Sequence, residues 1–168
     1  MKSFLTIFAL LFSLPALAGG VLDLSRPTDG KPVGILIAEP VDRFGVVAIA
    51  TTGYGELFVG RRFTVGTMNI TAYAGGEYLA GLGIKSRVRL VTSGREGAFS
   101  LLSIIEAGGH TGNYHKLVLG YSHTDKFSIS AVRLNGKNGG RVDLSLGVMN
   151  PYIEVVDRKA TAGIVIVF

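Results

Sequence analysis

Alternation of apolar and polar residues with a period of two is the strongest pattern in the chain beyond residue 20. The segment Arg141–Met149 places Val142, Leu144, Leu146 and Val148 on one face and polar or small residues on the other. Three further segments show the same alternation: Thr67–Ala74, Ile84–Thr92 and His115–Tyr121. Because no stretch shows a convincing period of 3.6 residues, the pattern predicts an all-β chain.

Short polar or glycine-rich segments separate the alternating runs and predict hairpin turns. The predicted turns are Glu39–Arg43, Thr52–Gly55, Val65–Thr67, Ser93–Gly97, His123–Lys126, Asn135–Gly140, Asn150-Pro151 and Asp157–Lys159, with a longer loop at Gly108–Asn113. Phe99–Ala107 fits a helix as well as a strand, and the Gly and Ser residues around it favour a strand. The segments number eleven, or twelve if Val21–Ser25 also forms a strand. The prediction is therefore an antiparallel up-and-down meander of about ten to twelve short strands.

The first eighteen residues have the features of a secretory signal peptide. Lys2 provides the positive charge, Phe4–Leu14 is apolar, and Pro15 is followed by small residues at Ala16 and Ala18. Cleavage is expected after Ala18, which makes residues 1–18 a removed signal and residues 19–168 a single β-barrel domain. The remaining chain shows no linker and no shift in composition.

A meander with one apolar face can fold with that face inward or outward. A soluble barrel or sandwich buries the face, whereas a membrane barrel turns it toward lipid and fills its interior with polar groups. Six side chains distinguish these folds: Val142, Leu144, Leu146, Val148, Leu117 and Leu119. Few charges lie within the strands, and aromatic residues cluster at strand ends, as they do in the two girdles of a membrane barrel. These features favour the outward arrangement.

The chain ends inside a predicted strand, Thr161–Phe168. Phe168 is the last residue, and Ile166 and Ile164 precede it at alternate positions. Together with the signal peptide and the meander, this ending resembles the bacterial outer-membrane β-barrel proteins. The resemblance implies a transmembrane barrel in the outer membrane of a Gram-negative cell envelope. It also implies that Phe168, Ile166 and Ile164 form an assembly signal read by the barrel assembly machinery.

Composition and charge exclude several other classes. The 168 residues contain no cysteine, which excludes a disulfide scaffold and a cysteine-based zinc site. The formal net charge of +5 is not concentrated in a basic cluster, so nucleic acid is not an expected partner. The 24 glycines divide into turn residues and in-strand residues, and the in-strand group, Gly60, Gly120, Gly147 and Gly163, suits the crowded interior of a small barrel.

Charged residues on the face opposite the apolar one are predicted to point into the lumen. They are Glu56, Arg62, Lys85, Arg87, Arg89, Glu106, Lys116, Asp143 and Glu154. Such a set can form a weakly anion-selective constriction. It can also form a charge-paired plug in a closed interior, which the small size of the barrel favours.

No candidate catalytic, cofactor-binding or metal-binding residues emerge. His115 and His123 are eight residues apart in one strand, about 27 Å, which is too far for a shared metal ion. Ser122, His123 and Asp125 lie close together in sequence, but neighbouring residues in a strand alternate faces and do not form a triad.

We therefore expect a small, porin-like outer-membrane β-barrel with a structural or narrow-pore role, no cofactor and no catalytic site. Its expected partners are outer-membrane lipid and the assembly machinery. One alternative is a soluble periplasmic β-barrel or sandwich that binds an apolar ligand. A second is a barrel enzyme that acts on membrane lipid.

Overall fold

The computed structural model describes residues 20–41 and 43–168, with the side chains of residues 39–42 excepted. The predicted signal peptide lies outside the described residues. The strands, in chain order, are β1 (Gly20–Pro27), β2 (Val33–Val41), β3 (Phe44–Thr51), β4 (Tyr54–Val65), β5 (Met68–Leu79), β6 (Gly83–Glu96), β7 (Phe99–Gly108), β8 (Tyr114–Thr124), β9 (Phe127–Leu134), β10 (Lys137–Leu144), β11 (Met149–Val156) and β12 (Lys159–Val167). In this part of the chain, no helix is long and apolar enough to cross a membrane.

The strands form a closed barrel in which every neighbour along the chain is also a neighbour in the sheet. All pairs are antiparallel, and β1 closes the barrel against β12 in a register that runs from Val21 opposite Val167 to Pro27 opposite Thr161. Closure gives every strand a hydrogen-bonding partner on both sides, which a barrel in lipid requires. The predicted all-β meander is confirmed, and the segment around Val21–Ser25 does form the twelfth strand.

The hairpin connections lie at two ends of the barrel. One end carries both described termini, and Gly20 and Phe168 exchange two backbone hydrogen bonds there, of 2.7 and 3.0 Å. We call this the terminal end and the opposite one the loop end. Connections at both ends are short, and the two longest, residues 28–32 between β1 and β2 and residues 109–113 between β7 and β8, have five residues each and lie at the loop end.

The structure corrects several predicted boundaries. Most of the turn predicted at Ser93–Gly97 belongs to a strand, because β6 continues to Glu96. Arg141–Met149 is not one strand: β10 ends at Leu144, and a turn with Gly147 at a φ of 79° leads into β11. The alternation continues by coincidence across that turn. Gly147 therefore lies in the turn and not within a strand, and its positive φ suits a residue that has no Cβ. Asn150-Pro151 belongs to β11, and the turn predicted at Asn135–Gly140 is limited to its first two residues, because β10 starts at Lys137.

Apolar side chains cover the outside of the barrel. Of the six that distinguish the outward from the inward arrangement, Leu117 is half-buried and the other five are exposed, by 43% for Val142 up to 64% for Leu146 and Val148. Since an aliphatic surface of this kind is stable in lipid and unfavourable in water, the protein is a transmembrane barrel. The apolar face does not form the closed core of a soluble barrel or sandwich.

Aromatic rings inside the barrel pack against in-strand glycines. Tyr73 lies against Gly60 and Gly45, and an added Cβ at Gly60 would come within 2.6 Å of the Tyr73 ring. Tyr152 covers Gly163 in the same way. Together with Val47 and Phe58, Tyr73 forms a small buried cluster on β3–β5. Glycine is needed where a large inward side chain crosses the neighbouring backbone at close range.

Two arginines face outward near the ends of their strands. Arg61 lies between the rings of Phe44 and Phe63, with its guanidinium carbon 6.0 and 5.7 Å from their centroids, close to the terminal end. Arg133 is exposed one residue before the end of β9 at the loop end. At the ends of a barrel, such side chains reach the headgroup region, where their charge costs little.

Candidate functional site in the barrel lumen

A cavity of about 1050 Å³ occupies the interior of the barrel. Its lining includes Thr111 and Tyr114 at the loop end and Lys126 and Asn150 at the terminal end. Because side chains from both ends line the same cavity, it extends along the height of the barrel.

One wall of the cavity is aliphatic. It is formed by strands β12 and β1–β3 and carries Val21, Val33, Ile35, Ile37, Ile49 and Val165. In a barrel of twelve sequentially paired strands, these strands lie opposite β6–β9. The charged side chains of β6–β8 therefore face a wall that is apolar except for Asp23 of β1.

Arg87 on β6 is the centre of the first group of charges. Its Nε lies 3.1 Å from Glu56 Oε1, its Nη2 lies 2.8 Å from Glu106 Oε2, and its Nη1 contacts Glu77 Oε2. The side chains of Arg87 and these three glutamates are at most 4% exposed. We call Arg87, Arg89 and the three glutamates the glutamate cluster. It brings three carboxylates from β4, β5 and β7 onto two guanidinium groups of β6.

Arg89 is bound less completely than Arg87. Its Nε is 3.2 Å from Glu106 Oε1, and its guanidinium carbon lies 5.5 Å from the centroid of the Phe58 ring. Among the described residues, neither Nε nor Nη1 of Arg89 has a partner with hydrogen-bond geometry. The pairing with Glu106 is thus mainly Coulombic, and Phe58 supplies a cation–π contact.

The connection between β7 and β8 is tied to the glutamate cluster. Thr111 donates two hydrogen bonds of 3.0 Å to the Glu77 carboxylate, one from its backbone nitrogen and one from its hydroxyl. Arg87 Nη1 donates to Thr111 Oγ1 at 2.7 Å and to the Gly108 carbonyl at 3.3 Å. These bonds hold the loop against the inner wall at the loop end.

A second group of charges lies on β8, β10, β11 and β1. Lys116 Nζ donates to both oxygens of Glu154 at 2.7 and 2.9 Å, and Arg141 donates to Asp143 Oδ1 at 2.5 and 2.8 Å. The Arg141 guanidinium also stacks on Tyr152 at 3.6 Å, and the Tyr152 hydroxyl donates to Asp23 Oδ1 at 3.0 Å. We call Lys116, Arg141, Asp23, Asp143 and Glu154 the lysine cluster.

The structure divides the nine predicted lumen charges into three sets. Four of them, Glu56, Arg87, Arg89 and Glu106, lie in the glutamate cluster. Lys116, Asp143 and Glu154 lie in the lysine cluster. Lys85 and Arg62 lie apart from both: Lys85 is exposed near the loop end, and Arg62 lies on β4 toward the terminal end, opposite Thr71.

Three further members of the clusters were not among the predicted charges. Glu77 shares the inner face of β5 with Thr71 and Tyr73, so extending the alternation of that strand by two positions past Gly75 would have found it. Asp23 alternates with Leu22 and Leu24 in β1. In the sequence, Arg141 directly follows the glycine-rich segment Asn135–Gly140, which suggests a loop residue. In the structure β10 already begins at Lys137, so Arg141 lies within a strand.

Two ion pairs join turns at the loop end, outside the charged interior. Lys159 Nζ lies 2.5 Å from Asp29 Oδ2, and Lys137 contacts Asp157. The hydrogen bond from Lys137 lowers the pKa of Asp157, and the one from Lys159 lowers the pKa of Asp29. All four side chains are about half exposed or more, so these pairs contribute little to stability.

The residues considered from the sequence for metal binding and catalysis have the following positions in the described part of the chain. Within residues 20–41 and 43–168, no group of three or more His, Asp or Glu side chains is arranged to hold a metal ion. Ser122 lies in β8 opposite Ser128, and the register shifts between Ser122 and Thr124, where His123 stands.

Solved structures of similar fold are porins. A KdgM porin matches with a TM-score of 0.61 and 9% identity, over 89% of this chain and 98% of that one. A KdgM porin in complex with disordered oligogalacturonate matches with a TM-score of 0.59 and 12% identity, over the same shares. No protein-family model and no curated protein matches the sequence. At these identities the likeness concerns the fold, which is that of a small bacterial outer-membrane β-barrel.

Proposed function

We propose that this protein is a narrow water-filled channel of the bacterial outer membrane that passes small hydrophilic solutes. The observation that carries the proposal is the cavity of about 1050 Å³, which is lined by residues from both ends of the barrel. Strand connections at both ends are short, which leaves little chain to cover either mouth.

The polar groups of the lumen support passage of water and solutes. The glutamate cluster lies toward the loop end, whereas the lysine cluster extends into the terminal half, where Asp143 is the register partner of Ser128. Hydroxyl groups line the terminal half: Ser100, Ser122, Thr124, Ser128 and Ser130. Hydroxyl groups exchange hydrogen bonds with water and with a hydrophilic solute at little cost. In the lysine cluster, Lys116 pairs with Glu154 of β11, and Arg141 pairs with Asp143 of its own strand. Paired charges on the wall of an open lumen fit a pore better than a plug.

The fold neighbours agree with a transport role in the outer membrane. One of them is a porin in complex with disordered oligogalacturonate, a hydrophilic oligomer. By analogy, this chain would take solutes through its lumen and would need neither a cofactor nor a catalytic residue. Outer-membrane lipid would surround the apolar exterior. The assembly machinery would recognise the last strand through Phe168, Ile166 and Ile164.

Conductance of the purified protein in planar lipid bilayers tests the channel role. We expect stepwise unit currents. Ser122→Trp should lower the unit conductance at least about 2-fold, because an indole side chain occupies lumen volume that ions need. Leu119→Trp is the matched control, since Leu119 is 53% exposed on the outside of the same strand, and it should leave the conductance unchanged.

Absence of unit currents in repeated insertions of folded protein would contradict the channel role. Equal effects of the two tryptophan substitutions would show that the current does not pass through the lumen.

A further inference from the structure

We propose that the lumen favours neutral and cationic solutes and excludes polyanions, so that its substrate class differs from the acidic oligomer bound by one fold neighbour. This inference rests on the channel role proposed above. It concerns the belt formed by the glutamate and lysine clusters.

The charges of the belt do not balance. The carboxylates are Asp23, Glu56, Glu77, Glu106, Asp143 and Glu154, and the cations are Arg87, Arg89, Lys116 and Arg141. Six carboxylates against four cations give the belt a formal charge of −2. The sequence as a whole, by contrast, carries a formal charge of +5, so the sign inside the belt could not be read from the composition.

Three of the four cations of the belt are held by hydrogen-bonded carboxylates of the wall, and the fourth, Arg89, is paired with Glu106 alone. Arg87 contacts three glutamates, and Lys116 holds both oxygens of Glu154. Arg141 is held between Asp143 and the Tyr152 ring. A passing carboxylate or phosphate would have to compete with these partners for Arg87, Lys116 and Arg141. Because these ion pairs are already desolvated, they favour staying intact.

Among the ion pairs of the described residues, none includes Asp23, although Arg141 and Lys116 of the same cluster are close enough to interact with it electrostatically. The hydrogen-bond donor that reaches Asp23 is the neutral hydroxyl of Tyr152, at 3.0 and 3.2 Å from the two oxygens. Asp23 also lines the cavity and is only partly buried. Its charge is therefore available to attract a cation and to repel an anion in the lumen.

The aliphatic wall of the cavity strengthens the attraction of cations by the belt. Strands β12 and β1–β3 present aliphatic side chains to the cavity at that side, such as Ile35, Ile49 and Val165. An apolar wall screens poorly and concentrates the field of the charges that face it. At the terminal mouth the cavity is also lined by Arg95, Lys126 and Asp125. These three residues are exposed, so water and salt screen them more strongly than the belt.

The reversal potential in a KCl gradient measures this selectivity. We expect the permeability ratio of K⁺ to Cl⁻ to exceed 1, at about 3 for a weakly screened charge of −2. Asp23→Asn, which keeps an oxygen acceptor for Tyr152, should bring the ratio closer to 1. Lys116→Gln removes a cation of the belt and should raise it.

Glu96→Gln is the matched control for the loss of one carboxylate. Glu96 is exposed in the β6–β7 hairpin, where its register partner is the outward-facing Phe99, so the ratio should not change. As a second measurement, vesicles containing the protein should take up a neutral trisaccharide about 3-fold or more faster than a trigalacturonate of equal length.

The outcomes separate the two proposals. Unit currents with a K⁺ to Cl⁻ ratio at or below 1, or faster uptake of the trigalacturonate, would overturn the inference and leave the channel role intact. Equal shifts for Asp23→Asn and Glu96→Gln would place the selectivity outside the belt and also overturn it. Absence of any current from folded barrels would overturn the channel role itself.

Discussion

At the scale of single residues, Arg87 is the central side chain of the glutamate cluster, because it forms ion pairs with all three glutamates. It is 3% exposed and joins carboxylates from three different strands, which without it would repel one another inside a poorly hydrated wall. Its position could be predicted because Lys85, Arg87 and Arg89 alternate with apolar residues in one strand. The identities of its partners could not be predicted, because they lie between 10 and 31 residues away in sequence and depend on the register of four strands.

Replacing Arg87 tests its structural importance. Arg87→Gln should destabilise the folded barrel by about 3–5 kcal/mol, because three buried carboxylates would share only Arg89. Arg158→Gln, in the exposed β11–β12 turn, should change stability by less than about 0.5 kcal/mol. Urea unfolding in lipid vesicles, followed by far-ultraviolet circular dichroism because the chain lacks tryptophan, measures both variants. A cost below about 1 kcal/mol for Arg87→Gln would contradict the role given to the cluster.

At the scale of strands and turns, the sequence pattern identifies the elements better than it places their ends. Period-two alternation is a direct consequence of strand geometry, so it correctly predicted an all-β meander. Around Gly147 the same alternation continues through the turn at residues 145–148, where the positive φ of that glycine helps to reverse the chain between β10 and β11. The loop at residues 109–113 was predicted, but its attachment to Glu77 and Arg87 depends on contacts across the barrel.

The last strand carries the prediction about assembly. Phe168→Ser should strongly reduce the amount of heat-modifiable barrel in outer-membrane fractions, because the terminal aromatic residue of β12 would be lost. Folding of the purified variant into detergent should be much less affected, since the backbone bonds between Gly20 and Phe168 remain available. Phe99→Ser removes an outward aromatic residue that is 66% exposed at the same end and serves as the control. Equal losses for the two variants would show that Phe168 has no special part in assembly.

At the scale of the whole molecule, the distribution of polarity is the reverse of that in a soluble protein. Aliphatic side chains cover the outside, while the inside combines ion pairs, hydroxyl groups and one aliphatic wall. The sequence indicated this arrangement through the location of charges on one face of the strands. It did not indicate that the interior would contain a cavity reaching both ends, because lumen volume depends on how twelve strands close and on how tightly Phe58, Tyr73 and Tyr152 pack against the wall.

Spin-label accessibility along β8 in lipid vesicles tests the central claim, an apolar exterior in lipid around a water-filled lumen, most directly. The absence of native cysteine allows single-cysteine labelling at Val118, Leu119, Tyr121 and Ser122. Labels at Leu119 and Tyr121 should be accessible to oxygen, which concentrates in lipid, and labels at Val118 and Ser122 to a water-soluble nickel complex. Oxygen accessibility at all four positions, or protection of Val118 and Ser122 from the nickel complex, would contradict the account.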